Sequence, residues 1–119
     1  MFWCLKKFRL TIMGWYYMTP SQRTVAHLRK LGYQTANVEH YNYFTKRRHD
    51  LFGCIDILAI GNGETLAVQV TSKSNMSSRI KKIEESEALV EMLRSGWRVI
   101  VHGWAKNKSN RFELKEFEF

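Results

Sequence analysis

Apolar residues recur along this chain with a period that switches between helical and extended spacing, and the switches define the elements. Thr19 can cap a helix, Pro20 suits its first position, and Gln22 completes a Thr-x-x-Gln capping box. Val25, Leu28 and Leu31 then follow at helical spacing, and Gly32 supplies the stop. Tyr33 to Glu39 is extended in character and reads as a first strand. His40 to Asp50 is polar, aromatic and basic, and reads as a long loop or an irregular strand pair. Cys54 to Ile60 and Thr65 to Thr71 are β-branched, apolar runs flanking Gly61-Asn62-Gly63-Glu64, with Asn62-Gly63 suited to a two-residue turn at positive φ. Both runs are apolar almost throughout, as expected for strands covered on both faces.

After the polar connector Ser72 to Ser78, a second helix is predicted from about Arg79 to Ser95. Its apolar stripe is Ile80, Ile83, Val90 and Leu93, with Leu89 alongside, and Gly96 ends it. Trp97 to Trp104 reads as a strand. Lys106 to Asn110 is a turn, and Arg111 to Phe119 is a half-buried edge strand with Phe112, Leu114 and Phe117 or Phe119 facing inward. The alternation slips between Leu114 and Phe117, which predicts a bulge or a frayed end there. The order α-β-β-β-α-β-β implies a mixed central sheet flanked by helices, an α/β or α+β domain.

Two polar residues break the apolar hairpin. Asp56 lies between Ile55 and Ile57, and Gln69 between Val68 and Val70. A turn at Asn62-Gly63 sets them opposite each other, each six residues from its side of the turn. A buried carboxylate is costly unless hydrogen-bonded, paired or bound to metal. The pair is therefore either a cross-strand hydrogen bond or the centre of a site. Thr71 and Lys73 share the parity of Gln69, provided the strand reaches that far, and Asp50 shares the parity of Asp56.

Composition narrows the partner. The chain has 119 residues, enough for one domain with its own core. It carries 19 Lys+Arg against 11 Asp+Glu, a net charge of +8. Between residues 19 and 83 ten basic groups meet four acids, so the positive charge is concentrated there. Such an excess favours polyanions. Lys46, Arg47 and Arg48 are candidate phosphate contacts. Tyr41, Tyr43 and Phe44 beside them could stack on bases. Arg79 and Lys82 stand at a helix start, a setting that favours phosphate. The two cysteines, Cys4 and Cys54, read as free thiols of a reducing, cytoplasmic compartment. The histidines form no ligand or triad spacing, and there is no P-loop.

Residues 1–17 are aromatic and basic. Lys6, Lys7 and Arg9 interrupt every apolar run, so neither a membrane span nor a signal peptide is expected. The working domain is expected to begin near Met18, with the leader outside it.

The stretch Arg48-His-Asp50-Leu-Phe-Gly-Cys-Ile-Asp56-Ile-Leu-Ala-Ile60, followed by Val68-Gln69-Val70-Thr71-Ser72, resembles the core of the PD-(D/E)XK nuclease superfamily. The likeness is to small phage-type nucleases and the Holliday-junction-resolvase branch, and runs from Thr19 to about Trp104. It implies a restriction-endonuclease-like αβββαβ core. It further implies Asp56 as principal ligand of Mg²⁺ or Mn²⁺, Gln69 as second ligand, the Val70 carbonyl as a further one, and hydrolysis of DNA rather than RNA. A homodimer is implied by the same resemblance.

The chain departs from the pattern at two places. Thr71 stands where the superfamily has lysine, leaving Lys73, Lys82 or Lys81 as substitutes. Gln69 replaces a carboxylate, which weakens divalent binding. Asp50 and Glu39 are candidate additional carboxylates, although Glu39 reads as an ordinary surface acid. Three functions stay open: a metal-dependent endodeoxyribonuclease, a non-cleaving nuclease-fold protein that binds nucleic acid, or a phage-type protein that binds a host protein through the leader or the strand Arg111–Phe119.

Overall fold

The computed structural model describes residues 18–119, so the leader, Cys4 and the start of the chain lie outside the described residues. The first helix, α1 (Pro20–Lys30), opens as its sequence predicts: Thr19 Oγ1 accepts from Gln22 N–H, and Gln22 Oε1 accepts from Thr19 N–H. Its end is equally local. Gly32 adopts φ +96°, and Tyr33 N–H donates back to Leu28 O. This closes the last turn as a glycine-terminated helix should.

The strands that follow are β1 (Gln34–Asn37), the short hairpin β2 (His40–Asn42) and β3 (Arg47–His49), β4 (Ile57–Gly61) and β5 (Glu64–Ser72). A 3₁₀ turn at Lys73–Asn75 leads into α2 (Met76–Glu84), then α3 (Glu87–Arg94), β6 (Arg98–Lys106) and β7 (Phe112–Glu118). The central sheet has five strands in the order β1-β4-β5-β6-β7, while β2 and β3 form a separate two-stranded sheet. All pairs in the central sheet are antiparallel except β5 with β6. The domain is thus α+β with a mixed central sheet, as its patterning implied. Asn62 and Gly63 take φ +53° and +75°, and the hairpin pairs Ile57 with Val68 and Gly61 with Glu64, the register expected from the turn.

Helices cover both faces. On one side Leu28 of α1 packs against Ile57, Ala59, Leu66, Val68, Val70 and Ile100. On the other, Met76, Ile83 and Met92 pack against Ile55, Ala67, Val99 and Val101. Two coverings explain three departures from the sequence reading. First, the single helix expected from Arg79 to Ser95 is two helices, starting at Met76 and broken at Ser86. Ser86 Oγ caps α3 by accepting from Ala88 N–H, and the bend lets Ile83 and Met92 both reach the core.

Second, β7 holds an unbroken register against β6, from Ile100 opposite Glu118 to Lys106 opposite Phe112. The slipped alternation is therefore not a bulge. Phe112 and Leu114 stand on the α1 side and Phe119 packs with the opposite core, so the inward residue changes side because both sides are covered. Third, β4 begins at Ile57, later than expected. Cys54 and Ile55 belong to a tight turn whose ends, Leu51 and Ile55, exchange backbone hydrogen bonds.

One buried polar network ties α1 to the far strands. Trp104 Nε1–H donates to Thr24 Oγ1 at 2.9 Å, and the same hydroxyl is hydrogen-bonded to His102 Nδ1 at 3.1 Å. The other ring nitrogen, His102 Nε2, lies 3.3 Å from Glu116 Oε1. Burial pushes His102 down to about 4, with His27 nearby adding to it. The hydroxyl, imidazole and carboxylate are arranged like a catalytic triad, but Thr24 is fully buried and no substrate can reach it. The network is structural. Among the described residues no helix is long and apolar enough to cross a membrane.

Gly103 decides where the connector after β5 goes. A Cβ there would lie 2.2 Å from Met76 Sδ and 3.1 Å from the Cα of Lys73. The 3₁₀ turn therefore rests directly on β6, beside Thr71, the residue of β5 paired with Gly103. Gly103→Ala is expected to destabilise the protein by about 1–3 kcal/mol through overpacking, read as a lower denaturation midpoint at unchanged slope.

Candidate functional site: an acidic cluster in a basic cleft

Asp56 sits where β4 begins, and the ladder slips there. Its N–H donates to Val68 O, the carbonyl of the residue that already faces Ile57, and its own carbonyl accepts from Val38 N–H. Irregularities of this kind re-aim a side chain at a sheet's end. The Asp56 carboxylate turns onto β5, where Oδ2 accepts from Val70 N–H at 2.9 Å and from Gln69 Nε2 at 2.6 Å. The cross-strand pair predicted from the turn is thus present. Gln69 is 2% exposed, and its Oε1 has no hydrogen-bond partner. An unsatisfied buried acceptor of this kind costs about 1–3 kcal/mol, so it marks a place where a donor or a cation is wanted.

Two further carboxylates converge on Asp56. One oxygen each from Glu39, Asp50 and Asp56 lie within 4.8 Å of one another. Asp50 arrives by the turn rather than by strand parity. Phe52 and Gly53 take φ +53° and +75°, and the chain doubles back so that Asp50 and Asp56 flank the Leu51–Ile55 bridge. Glu39 arrives from β1: Val38 is bonded to Asp56, and Glu39 N–H donates to Asn37 Oδ1. Glu39 is half-buried beside the cluster and paired with Arg48. Its signal is tertiary, because only the pairing of β1 with β4 brings residue 39 to residue 56.

Burial pushes the Asp56 carboxyl up to about 7, and the neighbouring Asp50 and Glu39 charges add to the rise against the Val70 hydrogen bond. The ionised form is thus disfavoured until positive charge is supplied. Cations line the same cleft. The cluster lies in a cleft of about 1520 Å³ whose wall includes Arg29, Arg48, Arg79 and Lys82, along with Thr71 and the N-terminal turn of α1. Arg48 is bonded to Glu39 at 3.1 Å.

The other sequence candidates divide. Val70 lines the cleft, with its carbonyl 3.4 Å from Gln69 Nε2. Lys46 and Arg47 are exposed on the β2–β3 hairpin, outside the cleft wall. Lys73 does not continue the face of Gln69 and Thr71. β5 ends at Ser72, and Lys73 turns into the 3₁₀ segment over Gly103, exposed and away from the cleft lining. Arg29 was missed by the sequence reading, since nothing local marks one arginine of a helix as facing a site.

An oxygen set of three carboxylates with an unsatisfied amide oxygen fits Mg²⁺ or Mn²⁺.

The raised Asp56 value has a signed consequence. A carboxyl with a folded-state value near 7, against an ordinary 3.8, stabilises the fold fully below pH 4. That contribution fades as pH climbs to about 7 and is gone above it. In metal-free protein, Asp56→Asn is expected to melt higher than wild type at pH 8, with the difference shrinking to nothing near pH 4. Mn²⁺ should raise the melting temperature of the wild type at pH 8 and not that of the variant. Matched melting curves across pH, in EDTA and in Mn²⁺, check both.

Comparison of the chain with protein-family models, with curated proteins and with solved structures finds no match in any of the three.

Proposed function

We propose that this protein is a metal-dependent nuclease that hydrolyses phosphodiester bonds in DNA, on a PD-(D/E)XK-like core, in the cytoplasm. The observation that carries the reading is the convergence of Glu39, Asp50 and Asp56 beside the unpartnered Gln69 Oε1, inside a cleft whose wall is cationic. The element order supports it: helix, three strands, helix, strand, with a small hairpin inserted between the first two strands of the sheet.

Each residue then has a task. Asp56, Asp50 and Glu39 would hold the cation, with Gln69 Oε1 and the Val70 carbonyl offering further oxygens. A divalent cation bound there would supply Lewis-acid charge to a phosphodiester and lower the pKa of water. The Gln69 Nε2 and Val70 N–H bonds fix the Asp56 carboxylate before any ligand arrives, so little reorganisation is needed. Arg29, Arg48 and Arg79 are set to bind the phosphates on either side. Arg48 must leave Glu39 to do so, which frees that carboxylate for the cation.

Thr71 occupies the lysine position and cannot supply positive charge. Lys82 and Arg79 line the same cleft as Asp56, whereas Lys73 does not, so they are the candidate substitutes. The same vacancy favours a second reading: a protein of this fold that binds nucleic acid without cutting it.

The test is an assay with plasmid, linear and branched DNA in EDTA, Mg²⁺ and Mn²⁺. Cutting is expected only with metal, and should be abolished by Asp56→Ala. Lys82→Ala is expected to slow it about 10²-fold or more, the usual cost of one charge-stabilising group, and Lys73→Ala to leave it within about 2-fold. Cutting unchanged in Asp56→Ala would sink the nuclease. Salt-sensitive binding with no cutting in either metal would establish the second reading.

A further inference from the structure

The β2–β3 hairpin is not part of the central sheet, and the acidic cluster does not need it as a ligand source. Its strand residues are mostly exposed, and its composition is unusual for such an element. Tyr43 is 82% exposed and Phe44 is 99% exposed, side by side at the tip. Single exposed apolar residues are ordinary. Two adjacent rings on a tip contribute nothing to a core and keep a wetted apolar surface.

The tip is also held in shape. Asn42 Oδ1 accepts from Phe44 N–H at 2.9 Å and from Thr45 N–H at 3.3 Å, and Lys46 turns the chain at φ +54°. The rings lead towards the cleft. Tyr43 meets Tyr41 edge to face, 5.0 Å between centroids, and Tyr41 lines the cleft together with its cross-strand partner Arg48. Three consecutive cations, Lys46, Arg47 and Arg48, run back along the second strand of the hairpin.

We infer that the hairpin is a stacking finger that receives unpaired bases of a single-stranded DNA segment next to the phosphate held over Glu39, Asp50 and Asp56. This rests on the nuclease reading for the position of that phosphate, but the binding itself does not require cutting. The chemistry selects the ligand. Aromatic rings stack on base faces, which a duplex buries in its own stack and a single strand presents. Cations beside the rings match the phosphates that accompany those bases. An apolar protein surface would use the rings but would leave the exposed Lys46 and Arg47 without a counterpart.

The experiment uses the full chain in EDTA, where cutting is absent, and fluorescence anisotropy with a single strand of about 20 nucleotides and a blunt duplex of the same length. The Tyr43→Ala/Phe44→Ala variant removes only exposed rings, and matched melting curves confirm that it folds. It is expected to weaken single-strand binding about 10-fold or more and leave duplex binding within about 2-fold. Lys46→Ala/Arg47→Ala is expected to weaken both and to flatten their salt dependence. A 2-aminopurine in the single strand should change its emission with wild type and not with the aromatic variant. Equal losses on strand and duplex, or none on the strand, overturn the inference. Binding of neither DNA by wild type overturns it together with the nucleic-acid reading. Ring-dependent strand binding with no cutting in Mg²⁺ or Mn²⁺ upholds the finger and overturns only the nuclease.

Discussion

The hydrogen-bonded burial of one carboxylate, that of Asp56, is the constraint on which the rest of the cleft depends. A charged carboxylate at the edge of an apolar sheet costs several kcal/mol unless its surroundings compensate. Here the compensation is partial. The backbone N–H of Val70 and the amide of Gln69 bind one oxygen, while Asp50 and Glu39 make ionisation harder. No purely structural need explains two more acids beside a buried one. A protein selected for stability alone would replace them, and the unpartnered oxygen of Gln69 adds to the cost. Three carboxylates and one unpartnered amide oxygen thus meet at the end of β4 and β5.

The sheet is what makes this tolerable. Because helices cover both faces, β4 and β5 are apolar on both sides and rigidly registered, so the single polar pair at their end is positioned by the ladder rather than by flexible side chains. The double covering has a cost in the connector. With β5 closed off at Ser72, the chain must cross β6 at Gly103 to start α2, and Lys73 goes with it. Lys73 therefore does not share the cleft-facing side of Gln69 and Thr71. The cations of this part of the chain that line the cleft come instead from α2, Arg79 and Lys82.

Much of the fold was legible because its signals are short-range. The capping box at Thr19 and Gln22, the stop at Gly32 and the Asn62-Gly63 turn are local hydrogen-bond and φ preferences, and each is observed as read. The opposition of Asp56 and Gln69 followed from that turn, since a two-residue loop fixes the register of its strands. Misreadings arose where periodicity is ambiguous. The break at Ser86 lies inside a continuous apolar stripe, so spacing could not show that the two halves point at one core from different axes. The apparent slip in β7 was a change of covered face, which an alternation pattern cannot distinguish from a bulge.

The sequence by itself determined the layered α+β architecture, the central hairpin, the Asp56–Gln69 pair and the excess of positive charge. These depend on interactions between residues near in the chain, or on a register counted from one turn. Only the tertiary structure decided that Glu39 and Asp50 join Asp56, that Lys73 departs while Lys82, Arg79 and Arg29 face the cleft, and that Tyr41 links the exposed rings to it. The reason is physical. These groups meet through the pairing of β1 with β4, through a tight turn at positive φ and through the path of a connector over a glycine. None of those is encoded in the spacing of the residues they bring together.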